Sequence, residues 1–180
     1  MTRSVGTDRW LAYVRPRPLA SVRLFCFPYA GGGASVFRGW ADGLPSAVEV
    51  CPVQMPGRET RFREPAFTRL PLLIEALAES LYPHLDRPFA FFGHSLGALV
   101  AFELARRLRR DGSPEPQHLF VSGSGAPQAR DHSGAVIHTR PADEFWQEVG
   151  RLNGTPAEVL TDGELRDLLL PTLRADFALC

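Results

Sequence analysis

The 180-residue chain contains no lysine, because all 20 of its basic residues are arginine. Without lysine there is no P-loop lysine for nucleotide phosphates, no Schiff-base amine and no lysine general base, so several nucleotide-binding and aldolase functions are excluded. The 20 acidic residues balance the arginines, and the formal net charge is zero. A neutral chain has no overall field that attracts DNA, RNA or anionic lipid, so we expect neither a nucleic-acid nor a membrane partner.

Cysteine is also scarce, and long apolar runs are absent. The three cysteines, at positions 26, 51 and 180, include no C-x-x-C pair, so the sequence predicts neither a disulfide framework nor a zinc site. The first residues lack the apolar core of a signal peptide, and no window reaches the roughly 18 apolar residues of a membrane span. We therefore expect a cytoplasmic protein with reduced thiols and without a metal or other cofactor.

What is present is the composition of one globular domain, with 44% apolar residues and enough length to bury about 70% of the surface of the unfolded chain. Short apolar runs alternate with segments of helical periodicity, which predicts a mainly parallel sheet flanked by helices, an α/β fold. The predicted strands are residues 22–27, 48–53, 88–92 and 118–122. The predicted helices are residues 36–44, 68–85, 96–110 and 141–152, with one or two more helices within residues 161–179.

The pattern divides the chain into three parts. Residues 1–20 are polar, rich in arginine and contain two prolines, so we expect a tail or a first edge strand. Residues 21–140 hold the alternating strands and helices of the core. Residues 141–180 are predicted to be helical. Within the core part, the helix predicted at residues 68–85 has Thr68 as its expected cap.

One pentapeptide has the sequence and the position of a nucleophile elbow. Gly93-His94-Ser95-Leu96-Gly97 lies between an apolar strand and a predicted helix, as the G-x-S-x-G motif requires. Ser95 would then occupy the carboxyl end of a strand, where open α/β sheets bind their ligands. We interpret His94 as a support of the elbow rather than as the base. The alternative is that Gly93 only ends a strand and Ser95 only caps a helix.

The sequence F-P-Y-A-G-G-G at residues 27–33 follows the first predicted strand. An acyl-transfer enzyme needs two preorganised N–H donors where the oxyanion develops. With this kind of elbow, one donor is the residue after the nucleophile, Leu96, and the other comes from the loop after an earlier strand. We predict Ala30 for the second donor, with Tyr29 as the alternative. Because the loop has neither a G-x-G-x-x-G nor a Walker A sequence, a phosphate-binding role is less favoured.

Four segments together resemble a known family. F-P-Y-A-G-G-G, M-P-G-R-E at residues 55–59, G-H-S-L-G and L-R-A-D-F at residues 173–177 resemble, in order and spacing, the discrete type II thioesterases of polyketide and nonribosomal peptide synthesis. Medium-chain fatty-acid thioesterases share much of this pattern. The resemblance extends from about residue 22 to the last residue, and it implies an α/β-hydrolase with a helical lid after the fourth predicted strand.

Members of that family remove acyl groups from the phosphopantetheine arm of carrier proteins. By this resemblance, Ser95 is the nucleophile, Leu96 and Ala30 hold the oxyanion, and an acyl-carrier or peptidyl-carrier protein is the partner. We interpret the M-P-G-R-E segment as a structural Pro-Gly turn in which Arg58 pairs with Glu59.

A histidine and an acid must complete such a site, and in α/β-hydrolases both follow the serine. After Ser95 come His118, at the start of a strand and so at the wrong end of the sheet, and His132 and His138 in a loop. In the family that this chain resembles, the acid and the histidine come from strand ends beyond this point. We therefore expect both to be missing and the chain to be truncated at its C-terminus, without the last strands. Asp131 and His138 are the acid and the histidine within this chain that could assist Ser95 in their place.

Several functions stay open at this stage. The favoured one is a serine thioesterase that works through an acyl-enzyme. The alternatives are a catalytically incomplete module that only binds an acyl-carrier protein, and a carboxylesterase or medium-chain fatty-acyl thioesterase with the same fold. If the last strands are missing, we expect the sheet to have an exposed edge.

Overall fold

The computed structural model describes residues 8–126, 136–152 and 154–180. Its strands are β1 (Val22–Phe27), β2 (Val48–Pro52), β3 (Phe89–His94) and β4 (His118–Ser122). They form one sheet in the order β2-β1-β3-β4, and every neighbouring pair is parallel. The predicted α/β fold with a parallel sheet is confirmed.

Within the described residues there are six α-helices. They are α1 (Trp40–Gly43), α2 (Leu70–Leu81), α3 (Leu96–Arg110), α4 (Ala142–Arg151), α5 (Ala157–Thr161) and α6 (Gly163–Ala178). Short 3-10 turns at Ala34–Phe37, Glu59–Arg61, Tyr82–His84 and Ile137–Thr139 join some of these elements. None of the described helices is long and apolar enough to cross a lipid bilayer.

Apolar side chains cover both faces of the sheet. On one face, α2 and α3 pack over Phe25, Phe27 and Phe91, and the ring of Phe91 meets the other two edge to face at centroid distances of 6.0 and 5.3 Å. On the other face, Phe37 and α1 cover Cys26. Because side chains alternate along a strand, β1 supplies residues to both layers. This two-sided burial explains why the strands are nearly continuous apolar runs.

The described part of the segment before β1, where we expected a tail or an edge strand, packs against the core. Trp10 and Leu11 are buried in the main core, and Leu11 forms an isolated antiparallel bridge with Val53. The guanidinium of Arg61 lies 4.2 Å from the centroid of the Trp10 ring. The polar composition of the segment concealed one large aromatic side chain whose apolar area favours burial.

Two helix predictions need correction. Helix α2 begins at Leu70 without a side-chain cap, so Thr68 does not cap it. The helix predicted at residues 36–44 is instead a 3-10 turn followed by the single turn of α1. The apolar face predicted for α2 is confirmed by its buried residues, Leu73, Ile74, Leu77 and Leu81.

Candidate active site

Ser95 lies in a sharp turn between the end of β3 and the start of α3. Its φ of +53° and ψ of −114° form a conformation that residues with a side chain rarely adopt. The Ser95 N–H donates to the carbonyl oxygen of Ser122 at 2.8 Å. A Cβ on Gly93 would lie 2.1 Å from the carbonyl oxygen of Gly97, so the turn needs glycine there. A strained strand-to-helix turn of this kind is what the G-x-S-x-G motif predicts.

His94 connects the last residues of β3 and β4. Its Nδ1 lies 3.1 Å from the hydroxyl oxygen of Ser122, and its ring meets the ring of Tyr29 edge to face at 5.9 Å. Gly123, with a φ of +62°, packs so closely that a Cβ there would lie 2.5 Å from Cε1 of His94. These contacts hold the imidazole beside the elbow, and its supporting role stays a prediction.

Within the described residues, the loop after β1 has two amides that are hydrogen-bonded and three that are not. Gly31 donates its N–H to Oδ2 of Asp176 at 2.7 Å, and Gly32 donates its N–H to the carbonyl oxygen of Tyr29 at 2.9 Å. In the part of the chain that the structure describes, the amides of Tyr29, Ala30 and Gly33 have no hydrogen-bond partner. Tyr29 and Ala30 are the two residues that the sequence offers for the oxyanion.

A cavity of about 470 Å³ brings the predicted nucleophile and this loop together. Ser95, Tyr29, Ala30 and His94 line it. The helical segment after β4 supplies apolar lining residues, which are Val149, Leu152, Leu173 and Phe177. Leu96 is the first residue of α3, where a backbone N–H lies outside the intrahelical hydrogen bonds. The roles of Ser95, Ala30 and Leu96 in catalysis stay predictions.

Arg58 and Asp176 form a buried ion pair that the sequence did not predict. Nη1 and Nη2 of Arg58 donate to Oδ2 and Oδ1 of Asp176 at 2.8 and 2.7 Å. The predicted pairing of Arg58 with Glu59 is wrong, because the Glu59 carboxylate accepts hydrogen bonds from the backbone and hydroxyl of Ser35. The M-P-G-R-E segment contains the arginine and the L-R-A-D-F segment contains the aspartate. No pattern in the sequence indicates that these two segments meet in the fold.

Further side chains fix the turn that carries Arg58. Gln54 is fully buried, accepts a hydrogen bond from the N–H of Ala34 at 3.2 Å and donates to the carbonyl oxygen of Arg58 at 3.1 Å. On α6, the Thr172 hydroxyl donates to the carbonyl oxygen of Gly57 at 2.8 Å. The M-P-G-R-E turn is thus bonded both to the glycine loop and to α6.

The structure does not bring the substitute acid and base to Ser95. Asp131 and His132 lie outside the described residues. His138 lies in a 3-10 turn before α4 and is absent from the described lining of the Ser95 cavity. His118 is the first residue of β4 and so lies at the opposite end of the sheet from the elbow.

Two further side chains whose chemical reactivity must be considered are the buried cysteines at positions 26 and 51. Burial raises the pKa of the Cys26 and Cys51 thiols above their usual value. Both thiols are therefore protonated at neutral pH and are poor nucleophiles. Among the described residues, no cluster of three or more His, Cys, Asp or Glu could hold a metal ion.

A family model described as "Thioesterase domain" matches residues 22–180. The chain belongs to the thioesterase family. The matched residues include the elbow, the glycine loop, the M-P-G-R-E turn and α6, so every feature of the site described above lies within the family region.

Similar proteins agree with this assignment. The chain is 50% identical over 179 residues to linear gramicidin dehydrogenase LgrE of Brevibacillus parabrevis, which covers 98% of this chain and 68% of LgrE. The structure of RedJ, a thioesterase from the prodiginine biosynthetic pathway of Streptomyces coelicolor, matches with a TM-score of 0.83 and 43% identity. The structure of YbtT, a type II thioesterase from the yersiniabactin NRPS/PKS pathway, matches with a TM-score of 0.78 and 33% identity.

The matched structures span most of this chain and about two thirds of their own. The RedJ match covers 92% of this chain and 65% of RedJ, and the YbtT match covers 93% and 69%. The parallel sheet flanked by helices is the α/β-hydrolase type of these thioesterases. The predicted resemblance to type II thioesterases is confirmed.

Proposed function

We propose that this chain carries the nucleophile of a serine thioesterase that releases acyl groups from the phosphopantetheine arm of carrier proteins. The observation that carries the proposal is the shared cavity, in which Ser95 on a strained elbow lies with Ala30, a residue whose amide is not hydrogen-bonded within the described chain. Membership of the thioesterase family supports the reaction class. The biosynthetic pathways named for RedJ and YbtT support the substrate class.

The proposed reaction has two steps. Ser95 Oγ attacks the thioester carbonyl, and the N–H groups of Ala30 and Leu96 stabilise the oxyanion. The C–S bond then breaks, the pantetheine thiol leaves with the proton lost by the serine, and water later hydrolyses the acyl-enzyme. The described lining contains one histidine, His94, and no carboxylate, so the proposal assigns the nucleophile and the oxyanion donors but no general base.

The apolar lining of the cavity favours a substrate whose acyl chain is itself apolar. A second cavity of about 320 Å³ shares Tyr29, Ala30 and Leu173 with the first cavity, and Phe62 and Val159 also line it. An acyl group bound beside Ser95 would thus lie against apolar side chains, whose burial favours binding.

A dehydrogenase, the activity in the name of LgrE, is a weaker candidate. Dinucleotide-binding folds hold the pyrophosphate with a G-x-G-x-x-G turn after a strand. The loop after β1 has the sequence F-P-Y-A-G-G-G, and its Gly31 amide is already bonded to Asp176.

The test is thiol release from acyl-pantetheine and from an acyl-carrier protein by the wild-type chain and by Ser95→Ala. We expect Ser95→Ala to reduce release to the uncatalysed rate, because the attacking oxygen is gone. The matched control is Ser46→Ala, an exposed serine before β2, which should behave as the wild type. Intact-mass detection of an acyl group on Ser95 would identify the intermediate.

Three results would contradict the proposal. Equal release by the wild type and Ser95→Ala would remove the serine from the mechanism. Binding of an acyl-carrier protein without any turnover would favour the incomplete binding module. A strong preference for simple oxygen esters over thioesters would instead point to a carboxylesterase.

A further inference from the structure

The Arg58–Asp176 pair joins the turn after β2, helix α6 and the glycine loop that carries the proposed oxyanion donor. Arg58 follows β2, and Asp176 lies near the end of α6. The two residues are only 6% and 1% exposed. Both carboxylate oxygens bind the guanidinium, which is the two-point geometry that orients an arginine and a carboxylate most strictly.

The same pair also holds the backbone of the glycine loop. Oδ2 of Asp176 accepts the N–H of Gly31 at 2.7 Å, and Nη1 of Arg58 donates to the carbonyl oxygen of Gly32 at 3.1 Å. The loop is therefore bound through one donor and one acceptor on successive glycines. Gly31 has a φ of +79°, and a Cβ there would lie 2.8 Å from the Leu173 side chain of α6.

These bonds determine the direction of the Ala30 N–H. The carbonyl of Tyr29 and the N–H of Ala30 belong to one planar trans peptide, so they point in opposite directions. The Tyr29 carbonyl accepts the N–H of Gly32, which fixes this peptide plane. The next plane carries the Gly31 N–H and is fixed by Asp176. Two consecutive peptide planes around Ala30 are thus held by hydrogen bonds.

We propose that Asp176, oriented by Arg58, is a positioning residue that holds the glycine loop so that the Ala30 N–H faces the thioester oxyanion. This inference rests on the proposed function. Asp176 acts only through Gly31, since its carboxylate is buried under the loop and is absent from the described lining of the Ser95 cavity. Because α6 also supplies Leu173 and Phe177 to that lining, one helix both bounds the cavity and sets the loop.

The test compares Asp176→Ala, Asp176→Asn and Arg58→Lys with a control on the same helix. Asp176→Asn keeps an acceptor for Gly31, and Arg58→Lys keeps a positive charge but loses the two-point geometry. Asp167→Ala is the matched control, because Asp167 is an exposed aspartate on the same helix and is absent from the described linings of both cavities. Circular dichroism melting establishes that each variant is folded before its kinetics are measured.

The first readout is the rate of Ser95 acylation. An oxyanion donor contributes about 100- to 1,000-fold to turnover, so a misdirected Ala30 should lower kcat by about 10- to 100-fold in Asp176→Ala, with KM changed by less than about threefold. Asp176→Asn and Arg58→Lys should fall between Asp176→Ala and the wild type. Asp167→Ala should keep the wild-type kcat. A rise in KM alone in Asp176→Ala would mean that α6 only closes the cavity, and an equal loss of kcat in Asp167→Ala would mean that any change in α6 lowers activity.

The second readout is hydrogen exchange of the Gly31 amide, which needs no activity. Exchange should accelerate in Asp176→Ala and stay slow in Asp167→Ala. Unchanged exchange in Asp176→Ala would overturn the inference even in an active enzyme. If the wild type shows no Ser95-dependent release, the proposed function fails and the catalytic role of Asp176 fails with it, while accelerated exchange would still establish the tie between Asp176 and the loop.

Discussion

Two glycines flank Ser95 where no other residue has room. A Cβ on Gly97 would lie 2.0 Å from the carbonyl oxygen of Phe27, and a Cβ on Gly93 would lie 2.1 Å from that of Gly97 itself. These obstacles are backbone atoms of β1 and α3, which cannot rotate away as a side chain does. The close approach of the end of β1 to the elbow therefore requires glycine, which has no side chain, at position 97.

We expect Gly97→Ala to lower the free energy of unfolding by about 3 kcal/mol or more, since the added methyl forces β1 and α3 apart. The control is Gly39→Ala, whose Cβ would meet nothing within 4 Å and which should change stability by less than about 0.5 kcal/mol. Urea unfolding of both variants provides the measurement. Equal stabilities would show that the elbow can widen without cost.

At this scale the sequence predicts what is local and misses what is distant. Gly93, Ser95 and Gly97 occupy one short turn, so the motif and its flanking strand and helix were sufficient to place them. Asp176 lies 118 residues from Arg58 and 145 from Gly31. Such a contact follows from the packing of α6 on the loop, which no periodicity in the sequence specifies.

Among the elements, α2 illustrates how one apolar face secures a helix to the sheet. Leu77 is fully buried against α3 and the sheet, whereas Leu72, on the same helix, is 43% exposed. Both positions have the same intrinsic helix preference, so substitutions at them differ mainly in the contacts that are lost.

Leu77→Ala should destabilise the protein by about 2–5 kcal/mol, because it leaves a cavity in the core. Leu72→Ala should cost less than about 1 kcal/mol, because its site is partly hydrated already. Differential scanning calorimetry would separate the two variants. A similar fall in melting temperature for both would contradict the packing of α2 described above.

The positions of most helices and strands were predictable because the apolar periodicity of each segment agrees with the turn residues that bound it. Helix α3 and strand β4 lie at the predicted residues, since an apolar stripe and bounding turns specify them. Prediction failed for the helix at residues 36–44 and for the Thr68 cap. In both places short-range propensity is weak, and tertiary packing determines where the helix begins.

The molecule as a whole has its site at one end of the sheet and a buried ionic network at the other. At the amino end of the strands, Arg23 and Glu49 pair at 2.7 Å, and Glu49 also accepts the backbone N–H of Arg17 at 2.8 Å. These charges are partnered on several sides, which is the condition for burying them. They lie away from Ser95, so we interpret them as structural.

A second charged group connects the N-terminal segment to the turn after β2. Glu64 binds Arg61 and Arg9, and the hydrogen bond from Arg61 lowers the pKa of Glu64 from 4.5 to about 2. Since the folded state holds the charged form, this stabilising contribution is complete above about pH 4.5 and is lost as the pH falls toward 2. Acid should therefore weaken the ion pairs that join Arg9 of the N-terminal segment, through Glu64, to Arg61.

Glu64→Gln should make the unfolding free energy less dependent on pH between about 4.5 and 2, because the titrating carboxylate is removed. Glu75→Gln, at an exposed position of α2, is the control and should keep the wild-type pH dependence. Urea unfolding at a series of pH values measures both. An unchanged slope in Glu64→Gln would assign the acid sensitivity to other carboxylates.

Strand β4 has a relation to the nucleophile that its position at the edge of the sheet does not suggest. It pairs with β3 on one side, and Phe120 and Val121 are 52% and 56% exposed. Yet its last residue, Ser122, binds both the Ser95 amide and the His94 ring. Because these bonds face β3, a polypeptide strand that paired with the free edge of β4 would leave them in place. The elbow is therefore held by the inner side of a strand whose outer side is open to pairing.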